Sequence, residues 1–236
     1  PGGDCVMAVE RLRGLRAVVF DLDDTLYSER SFAFSGFEAV AAWLSARWPC
    51  RFDPAVRMKE LFETDSRPRV FNELLRELGC PHGEEWVPAM VECYRTHRPG
   101  IVLHPDAEAA LSRWGGCVPL GLISDGPEAV QRRKVEALGL ATRIEHIILT
   151  DQWGPAFWKP HPRAFGIMQE RLGCAGLACV YIGDNPGKDF LAPRRLGWQT
   201  VQVCRSGGLY GQVQAPEGGE PACRVSSLDE LELSFA

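Results

Sequence analysis

A short apolar run that leads into a cluster of carboxylates constrains this chain of 236 residues more than any other feature. Residues 17–20 read AVVF, and Asp21, Asp23 and Asp24 follow at once. An apolar run with two β-branched valines predicts a buried strand of a parallel sheet. The carboxylates fall where the backbone leaves that sheet, so we expect a site at the tip of this strand.

The spacing of Asp21 and Asp23 suggests the chemistry of the site. One carboxylate can act as a nucleophile and the other as an acid and base. Such a pair repels a phosphate unless a cation lies between them, which indicates a hard, oxygen-preferring metal such as Mg²⁺. Taken alone the pattern is weak evidence, because acidic loops after strands are common.

Beyond residue 98 the periodicity predicts strands that alternate with helices. The expected strands lie at 118–123, 144–149, 179–182 and 200–204. This alternation is typical of right-handed βαβ units, so we predict an α/β fold with a Rossmann-like parallel sheet. Sites in such sheets lie beyond the carboxyl ends of the strands. Ser124, Lys159 and Asp184 each follow a strand, and together with Asp21 they should meet at one edge.

The segment between the first strand and residue 98 has helical periodicity and no strand pattern. We expect four short helices that begin near Ser35, Asp53, Arg69 and Glu84 and form one small domain. The predicted division is therefore a core of residues 1–27 and 99–236 with an inserted helical domain of residues 28–98.

The last part of the chain gives no functional signal. Residues 205–226 are rich in Gly, Pro and Ser and predict a surface loop. Residues 224–233 predict a short strand, with Ser226 or Ser227 as the cap of a final helical turn.

Composition excludes several classes of function. The net charge of −5, without a basic block, argues against a nucleic-acid polymer as partner. The nine cysteines are scattered and include no C-x-x-C pair, so we expect reduced thiols in a cytoplasmic protein. We expect neither a membrane span nor a signal peptide, because no long apolar run and no charged-then-apolar leader is present.

Four ordered segments resemble the motifs of the haloacid dehalogenase-like superfamily. They are DLDDT at 21–25, Ser124 within LISDG at 122–126, Lys159 followed by Pro160, and GDNPGKD at 183–189. The motifs run in the expected order through most of the chain. The helical insertion matches the position of the family's mobile C1-type cap, which closes over the site and selects the substrate.

The resemblance implies a Mg²⁺-dependent phosphatase that works through an aspartyl-phosphate. Asp21 would be the nucleophile, and Asp23 would protonate the leaving oxygen and later activate water. Ser124 and Lys159 would act as catalytic donors to the phosphoryl oxygens. The implied substrate-binding residues are Thr25, Ser124, Asp125, Gly126 and Lys159, and the implied metal ligands are Asp21, Asp23 through its main-chain carbonyl, Asp184 and Asp189.

Each of the later site residues also has a simpler structural interpretation. Ser124 is placed to cap a helix that begins after Gly126. Lys159 alone would be read as a solvated surface charge, and Asp189 as the cap of the helix that follows it. The ordered pattern favours the functional interpretation of all three.

Differences between the first motif of this chain and those of other superfamily members narrow the range of expected activities. Dehalogenases of this superfamily lack the second aspartate, and phosphomutases often carry Gly-Val where this chain has Asp24-Thr25. A phosphatase for a small-molecule phosphate, such as a sugar or polyol phosphate or a nucleotide, is therefore preferred, in a monomer or homodimer. The alternatives are a phosphotransferase or phosphomutase with the same intermediate and a non-catalytic regulatory member of the fold.

Several residues outside the motifs are weaker candidates. Those in the helical segment could read the substrate, although ordinary surface roles are more common, and two tryptophans near Lys159 could line the entrance or pack in the core. The helical candidates are Arg67, Arg69, Tyr94, His97 and Arg98, and the tryptophans are Trp153 and Trp158.

Overall fold

A computed structural model describes residues 10–236 of the chain. Contacts between Cα atoms divide it into two compact units. One comprises the residues up to Glu29 together with Val102–Ala236, and the other comprises Arg30–Ile101. Within the described residues, no helix combines the length and the apolar character that crossing a membrane requires.

The first unit is an α/β structure built on a parallel sheet. A two-stranded sheet pairs β1 (Glu10–Leu15) with the last strand, β8 (Leu231–Phe235). The main sheet has six parallel strands in the order β4-β3-β2-β5-β6-β7. Their ranges are β2 (Ala17–Phe20), β3 (Leu120–Ser124), β4 (His146–Leu149), β5 (Cys179–Gly183), β6 (Gln199–Val203) and β7 (Cys223–Val225).

The helices fall into a run of four without intervening strands and four that alternate with strands. The first four are α1 (Glu29–Ser45), α2 (Pro54–Phe62), α3 (Val70–Glu77) and α4 (Gly83–Thr96). The last four alternate with strands and are α5 (Pro105–Gly115), α6 (Glu128–Ala137), α7 (Arg163–Leu172) and α8 (Leu191–Arg195).

Strand β2 lies at the centre of the main sheet and is fully buried. It pairs with β3 on one side and with β5 on the other, where Phe20 lies opposite Leu122 and Ile182. The chain builds β3 and β4 on one side of β2 and then crosses to build β5 and β6 on the other. Ligands of open α/β sheets bind at such a switch point, beyond the carboxyl ends of the strands. Asp21 is the first residue past β2 at that point.

The helical unit is held together by an aromatic cluster. The ring centroid of Phe37 lies 5.8 Å from that of Phe62, 6.3 Å from that of Phe71 and 5.8 Å from that of Tyr94. The predicted start of α2 is confirmed, because the Asp53 carboxylate accepts hydrogen bonds from the first turn and Pro54 is its first residue.

Two local expectations are wrong. Helix α1 begins at Glu29 instead of near Ser35, because Oδ1 of Asp24 accepts the Glu29 N–H and satisfies a donor of the first turn. Residues 205–226 are not a loop throughout, since Cys223–Val225 forms β7. The final turn does occur, and Oγ of Ser227 accepts the N–H of Asp229 in a 3₁₀ turn at Leu228–Glu230.

Asp106, at the start of α5, connects the C-terminal segment to the α/β unit. Its Oδ2 accepts hydrogen bonds from Nη1 of Arg205 at 2.8 Å, Oγ of Ser227 at 2.9 Å and the N–H of Leu228 at 2.7 Å. Burial acts to raise the pKa of Asp106, but Arg205 and these hydrogen bonds outweigh it and lower the pKa below its ordinary value.

We expect Asp106→Asn to lower the free energy of unfolding by roughly 1–3 kcal/mol, because it leaves the buried Arg205 charge without its partner. Since the folded-state pKa is lowered, the carboxylate stabilises the fold fully above the unfolded pKa of about 4. That contribution is lost as the pH falls through the folded-state value, so the two proteins should converge in strong acid.

Urea unfolding of both proteins at neutral pH and in strong acid, below the folded-state pKa of Asp106, measures this difference. Glu108→Gln is the matched control on the same helix, because it breaks an exposed ion pair with Arg143. It should lower the free energy of unfolding by less than about 1 kcal/mol. Equal losses in the two variants would contradict the role given to Asp106.

Candidate active site

The loops after β2, β3, β4 and β5 bring the predicted motifs to one edge of the sheet. Asp21 and Asp184 directly follow β2 and β5, Ser124 is the last residue of β3, and Lys159 lies in the loop after β4. All four are buried, with exposed fractions of 6% or less. Because parallel strands point the same way, their carboxyl ends gather side chains that are far apart in sequence.

Lys159 is enclosed by oxygen atoms. Its Nζ donates to Oδ1 of Asp21 at 2.5 Å and to the hydroxyl of Tyr181 at 3.0 Å, and it lies 2.7 Å from Oδ1 of Asp189. Burial acts to lower the pKa of Lys159, but the charges of Asp189 and Asp21 outweigh it and raise the pKa well above its usual value. The residue is therefore a permanent cation inside the site.

Three buried carboxylates form an acidic cluster that fits a metal ion. One oxygen atom each from Asp21, Asp184 and Asp189 lies within 4.8 Å of the others. Burial raises the pKa of Asp21 to about 6 and that of Asp184 well above its usual range, and the neighbouring carboxylates add to both shifts. Oδ1 of Asp189 is buried and accepts no well-directed hydrogen bond from the described residues. A divalent cation would satisfy that oxygen and relieve the repulsion.

Asp23 is held by residues that the sequence did not single out. Its carboxylate accepts hydrogen bonds from Nζ of Lys134 at 2.6 Å, from Nε2 of Gln131 at 2.8 Å and from the hydroxyl of Tyr27. Burial acts to raise the pKa of Asp23, but the charge of Lys134 and these hydrogen bonds bring it below the ordinary value. Asp23 is therefore ionised at neutral pH, which is the form that accepts a proton.

The remaining predicted substrate-binding residues surround the same strand ends. Oγ of Ser124 accepts a hydrogen bond from Nε2 of Gln131 at 2.6 Å. The Thr25 hydroxyl is buried and has no hydrogen-bonding partner among the described residues. Gly126 has a φ of +113°, a backbone conformation that favours glycine.

The Asp125 side chain connects three loops. Its Oδ1 accepts the hydroxyl of Thr150 at 2.7 Å and the backbone N–H of Lys159 at 3.1 Å, and its Oδ2 pairs with Nζ of Lys188 at 3.1 Å. With both oxygens engaged by the protein, this carboxylate braces the site rather than offering a free group.

The simpler structural interpretations fail for all three residues. Helix α6 begins at Glu128 with Pro127 at its N-cap, so Ser124 does not cap it. The N-cap of α8 is Phe190, and Asp189 instead accepts the N–H of Asn185 at 2.9 Å. Lys159 is buried and not a surface charge.

The residues that the sequence prediction missed had weak signals. Gln131 and Lys134 lie three positions apart on α6 beside the buried Val130 and Val135. Polar residues on a buried helical face need partners, so this pattern was the available signal. Lys188 lies inside the last motif, between Asp184 and Asp189.

The weaker candidates separate into groups. Arg67, Arg69 and Tyr94 line one cavity of about 340 Å³ within the helical unit, whereas His97 and Arg98 are not part of its lining. The His97 ring contacts Oγ of Ser35 at 2.8 Å instead. Trp153 packs against the core of the α/β unit, and Nε1 of Trp158 donates to Asp151 at 3.0 Å.

Comparison with known proteins agrees with this geometry. The family model described as haloacid dehalogenase-like hydrolase matches residues 15–197. The chain is 26% identical to the glyceraldehyde 3-phosphate phosphatase of Methanocaldococcus jannaschii, over 92% of this chain and 95% of that protein. It is 31% identical to the phosphoserine phosphatase of Thermus thermophilus, over 90% of this chain and 82% of that protein.

A solved structure shows the same fold. The HAD-hydrolase YfnB of Bacillus subtilis, described as bound to magnesium, superposes with a TM-score of 0.65 at 19% identity, over 92% of this chain and 97% of that one. The family match covers the four strand ends and every motif residue described above. The chain therefore belongs to the haloacid dehalogenase-like hydrolases, and its named relatives identify it as a phosphoric monoester hydrolase.

Proposed function

We propose that this protein is a Mg²⁺-dependent phosphatase that hydrolyses a small-molecule phosphate monoester through an aspartyl-phosphate intermediate. The observation that carries the proposal is the arrangement around Asp21. Lys159 holds Oδ1 of this carboxylate at 2.5 Å, whereas Oδ2 accepts no hydrogen bond from the described residues. One oxygen atom is thus fixed, and the other remains available to attack phosphorus.

The first half-reaction transfers the phosphoryl group to the enzyme. Oδ2 of Asp21 attacks phosphorus in line, and the bond from phosphorus to the ester oxygen breaks. Asp23 is the proposed general acid and gives a proton to the leaving oxygen. Because its lowered pKa favours the ionised form, Asp23 must take up that proton before the step.

The second half-reaction hydrolyses the phosphoenzyme. Asp23, now ionised, removes a proton from water, and the resulting oxygen attacks the phosphorus of the Asp21 phosphate. Inorganic phosphate leaves, and the Asp21 carboxylate is restored. The resting state of Asp23, held by Lys134 and Gln131, is the state that this step requires.

The carboxylates of Asp21, Asp184 and Asp189, together with the main-chain carbonyl of Asp23, would hold the metal. When bound, Mg²⁺ supplies positive charge that offsets the repulsion between the nucleophile and the phosphate. The role of Asp189 is supported by its place in the buried acidic cluster with Asp21 and Asp184. Ser124 and Thr25 are the proposed hydroxyl contacts to the phosphoryl oxygens.

We further propose that the helical unit is the substrate-selecting cap. The unit Arg30–Ile101 is compact in its own right and is inserted between the first and second motifs. A cap favours substrates small enough to be enclosed. The M. jannaschii and T. thermophilus relatives are named for glyceraldehyde 3-phosphate and phosphoserine, which supports a small phosphate monoester, a sugar or polyol phosphate among them.

We also propose a cytoplasmic location. The eight cysteines in the described part of the chain are all free thiols, as expected of a reducing compartment.

Asp21→Asn should lower phosphate release by roughly 10³-fold or more, because the amide cannot form the intermediate. The assay measures inorganic phosphate released from glyceraldehyde 3-phosphate, phosphoserine, hexose phosphates and nucleoside monophosphates. Quenched wild-type enzyme should carry one phosphoryl group on the peptide that contains Asp21. Circular dichroism of the variant controls for folding.

Transfer of the phosphoryl group to a second sugar without release of phosphate would instead identify a phosphotransferase or mutase. Absence of turnover in a folded protein that binds Mg²⁺ would favour the regulatory alternative.

Asp184→Asn should weaken Mg²⁺ binding by roughly 10- to 100-fold or more. Loss of a residue that only hydrogen-bonds to a metal ligand already has an effect of that size. Calorimetric titration of the protein with Mg²⁺ gives the affinity, and a chelator should abolish turnover by the wild type. Asp65→Asn removes the same charge from the helical unit and is the control. An unchanged affinity in Asp184→Asn would refute the assignment of the acidic cluster.

A further inference from the structure

The last motif contains a lysine that none of the predicted roles includes. Lys188 lies between Asp184 and Asp189 in sequence, in the loop after β5. Its backbone is fixed, because its N–H donates to the Asn185 carbonyl at 3.2 Å and the next N–H donates to the same carbonyl at 3.0 Å. Its ammonium lies 3.1 Å from Oδ2 of Asp125, which follows β3.

Lys159 and Lys188 differ in what their ammonium groups can still bind. An ammonium has three donors. Lys159 contacts three protein oxygen atoms, and its side chain is 0% exposed. Lys188 has Asp125 as its one hydrogen-bonding partner among the described residues, and its side chain is 32% exposed. Two donors of Lys188 therefore remain for a ligand, whereas Lys159 has none to spare.

Lys188 lies within electrostatic range of the reacting carboxylate. Lys188 directly precedes Asp189, and its partner Asp125 also accepts the backbone N–H of Lys159, whose ammonium contacts Asp21. The ammonium is thus near both the nucleophile and the acidic cluster, at the edge of the site that solvent reaches. A substrate phosphate that approaches Asp21 arrives in the same space.

Stability alone does not explain the pair of Lys188 and Asp125. An ion pair with a partly exposed lysine contributes roughly 0–1 kcal/mol to stability. Asp125 is already held through its other oxygen by Thr150 and by the backbone of Lys159. The carboxylate is therefore a fixed anchor that aims the Lys188 ammonium.

We propose that Lys188 is a phosphoryl-binding cation, positioned by Asp125, and that it donates to the non-bridging oxygens of the phosphate. In this division of roles Lys159 holds Asp21 and Asp189 in place. The inference rests on the proposed phosphatase function and assigns a further binding residue to the same site.

The test measures the binding of inorganic phosphate, the product, to the Mg²⁺-loaded protein by calorimetry. Lys188→Met should weaken phosphate binding roughly 10- to 100-fold, as expected for the loss of a hydrogen bond from a charged donor. Lys188→Arg should restore part of the affinity, because it keeps the charge. The Mg²⁺ affinity should not fall in either variant, because Lys188 is itself a cation near the acidic cluster, and the unfolding midpoint should change little.

Lys59→Met is the matched control. Lys59 is 34% exposed and pairs with Glu38 in the helical unit, so it resembles Lys188 in exposure and in having one carboxylate partner. This control should bind phosphate and Mg²⁺ as the wild type does.

The role of Asp125 is tested by a double-mutant cycle. Asp125→Asn keeps the Lys188 ammonium but removes the carboxylate that positions it. The Asp125→Asn variant should therefore lose less phosphate affinity than the Lys188→Met variant. Adding Lys188→Met to the Asp125→Asn variant should lower the phosphate affinity by a smaller factor than Lys188→Met does in the wild type, because the two residues act together. Strict additivity would overturn the positioning role.

An unchanged phosphate affinity in the Lys188→Met variant would overturn the assignment of Lys188. The phosphatase proposal would still stand. The assignment also fails if Lys188→Met lowers the unfolding midpoint but not the phosphate affinity, since the lysine would then be structural. A folded wild type that binds no phosphate and releases none from any substrate would overturn both proposals.

Discussion

The contact between Lys159 and the carboxylates of Asp21 and Asp189 is the interaction on which the site depends. Burying a carboxylate without a counter-charge costs several kcal/mol, so the pocket needs a fixed cation to keep its acids ionised. One lysine is not enough, because burial still raises the pKa of Asp21 to about 6 with Lys159 at 2.5 Å. The arrangement is therefore suited to binding a further cation rather than to stabilising the fold by itself.

Helix α6 connects the loop after β2 with the end of β3. Nε2 of Gln131 donates both to Oδ2 of Asp23 and to Oγ of Ser124, while Lys134 donates to the other oxygen of Asp23. The Gln131 amide therefore fixes the positions of both Asp23, the proposed acid and base, and Ser124, the proposed hydroxyl donor. A change in the rotamer of Gln131 would disturb both, because a fully connected buried network behaves as a unit.

The sequence predicts the arrangement of the site better than its supporting contacts. Strand periodicity and the order of the motifs locate Asp21, Ser124, Lys159 and Asp184 at strand ends, because parallel strands have a fixed direction. Partners from distant segments are not predicted. Lys134 lies 111 residues from Asp23, and a local pattern indicates only that its helical face is buried, not which group it meets there.

The same limit explains the small sheet and the last segment. Strand β1 reads ERLRGL and mixes charges with apolar residues, so no clear alternation indicates its pairing with β8. The C-terminal segment reads as a loop because its glycines and prolines dominate the pattern, although Cys223–Val225 extends the main sheet beside β6.

The C-terminal segment also contacts the loop that carries Asp23, the proposed acid and base. Asp24 has a φ of +51°, a left-handed conformation that aspartate tolerates better than most residues. Its two oxygens accept the N–H groups of Glu29 at 2.8 Å and of Leu209 at 3.0 Å, and Arg205 donates twice to the Thr25 carbonyl. The Lys134 charge and the side-chain hydrogen bonds outweigh burial and lower the pKa of Asp23, but the position of Asp23 follows from the backbone on either side of Asp24. The proton transfers of the proposed reaction therefore depend on residues 205–209, which carry no catalytic group.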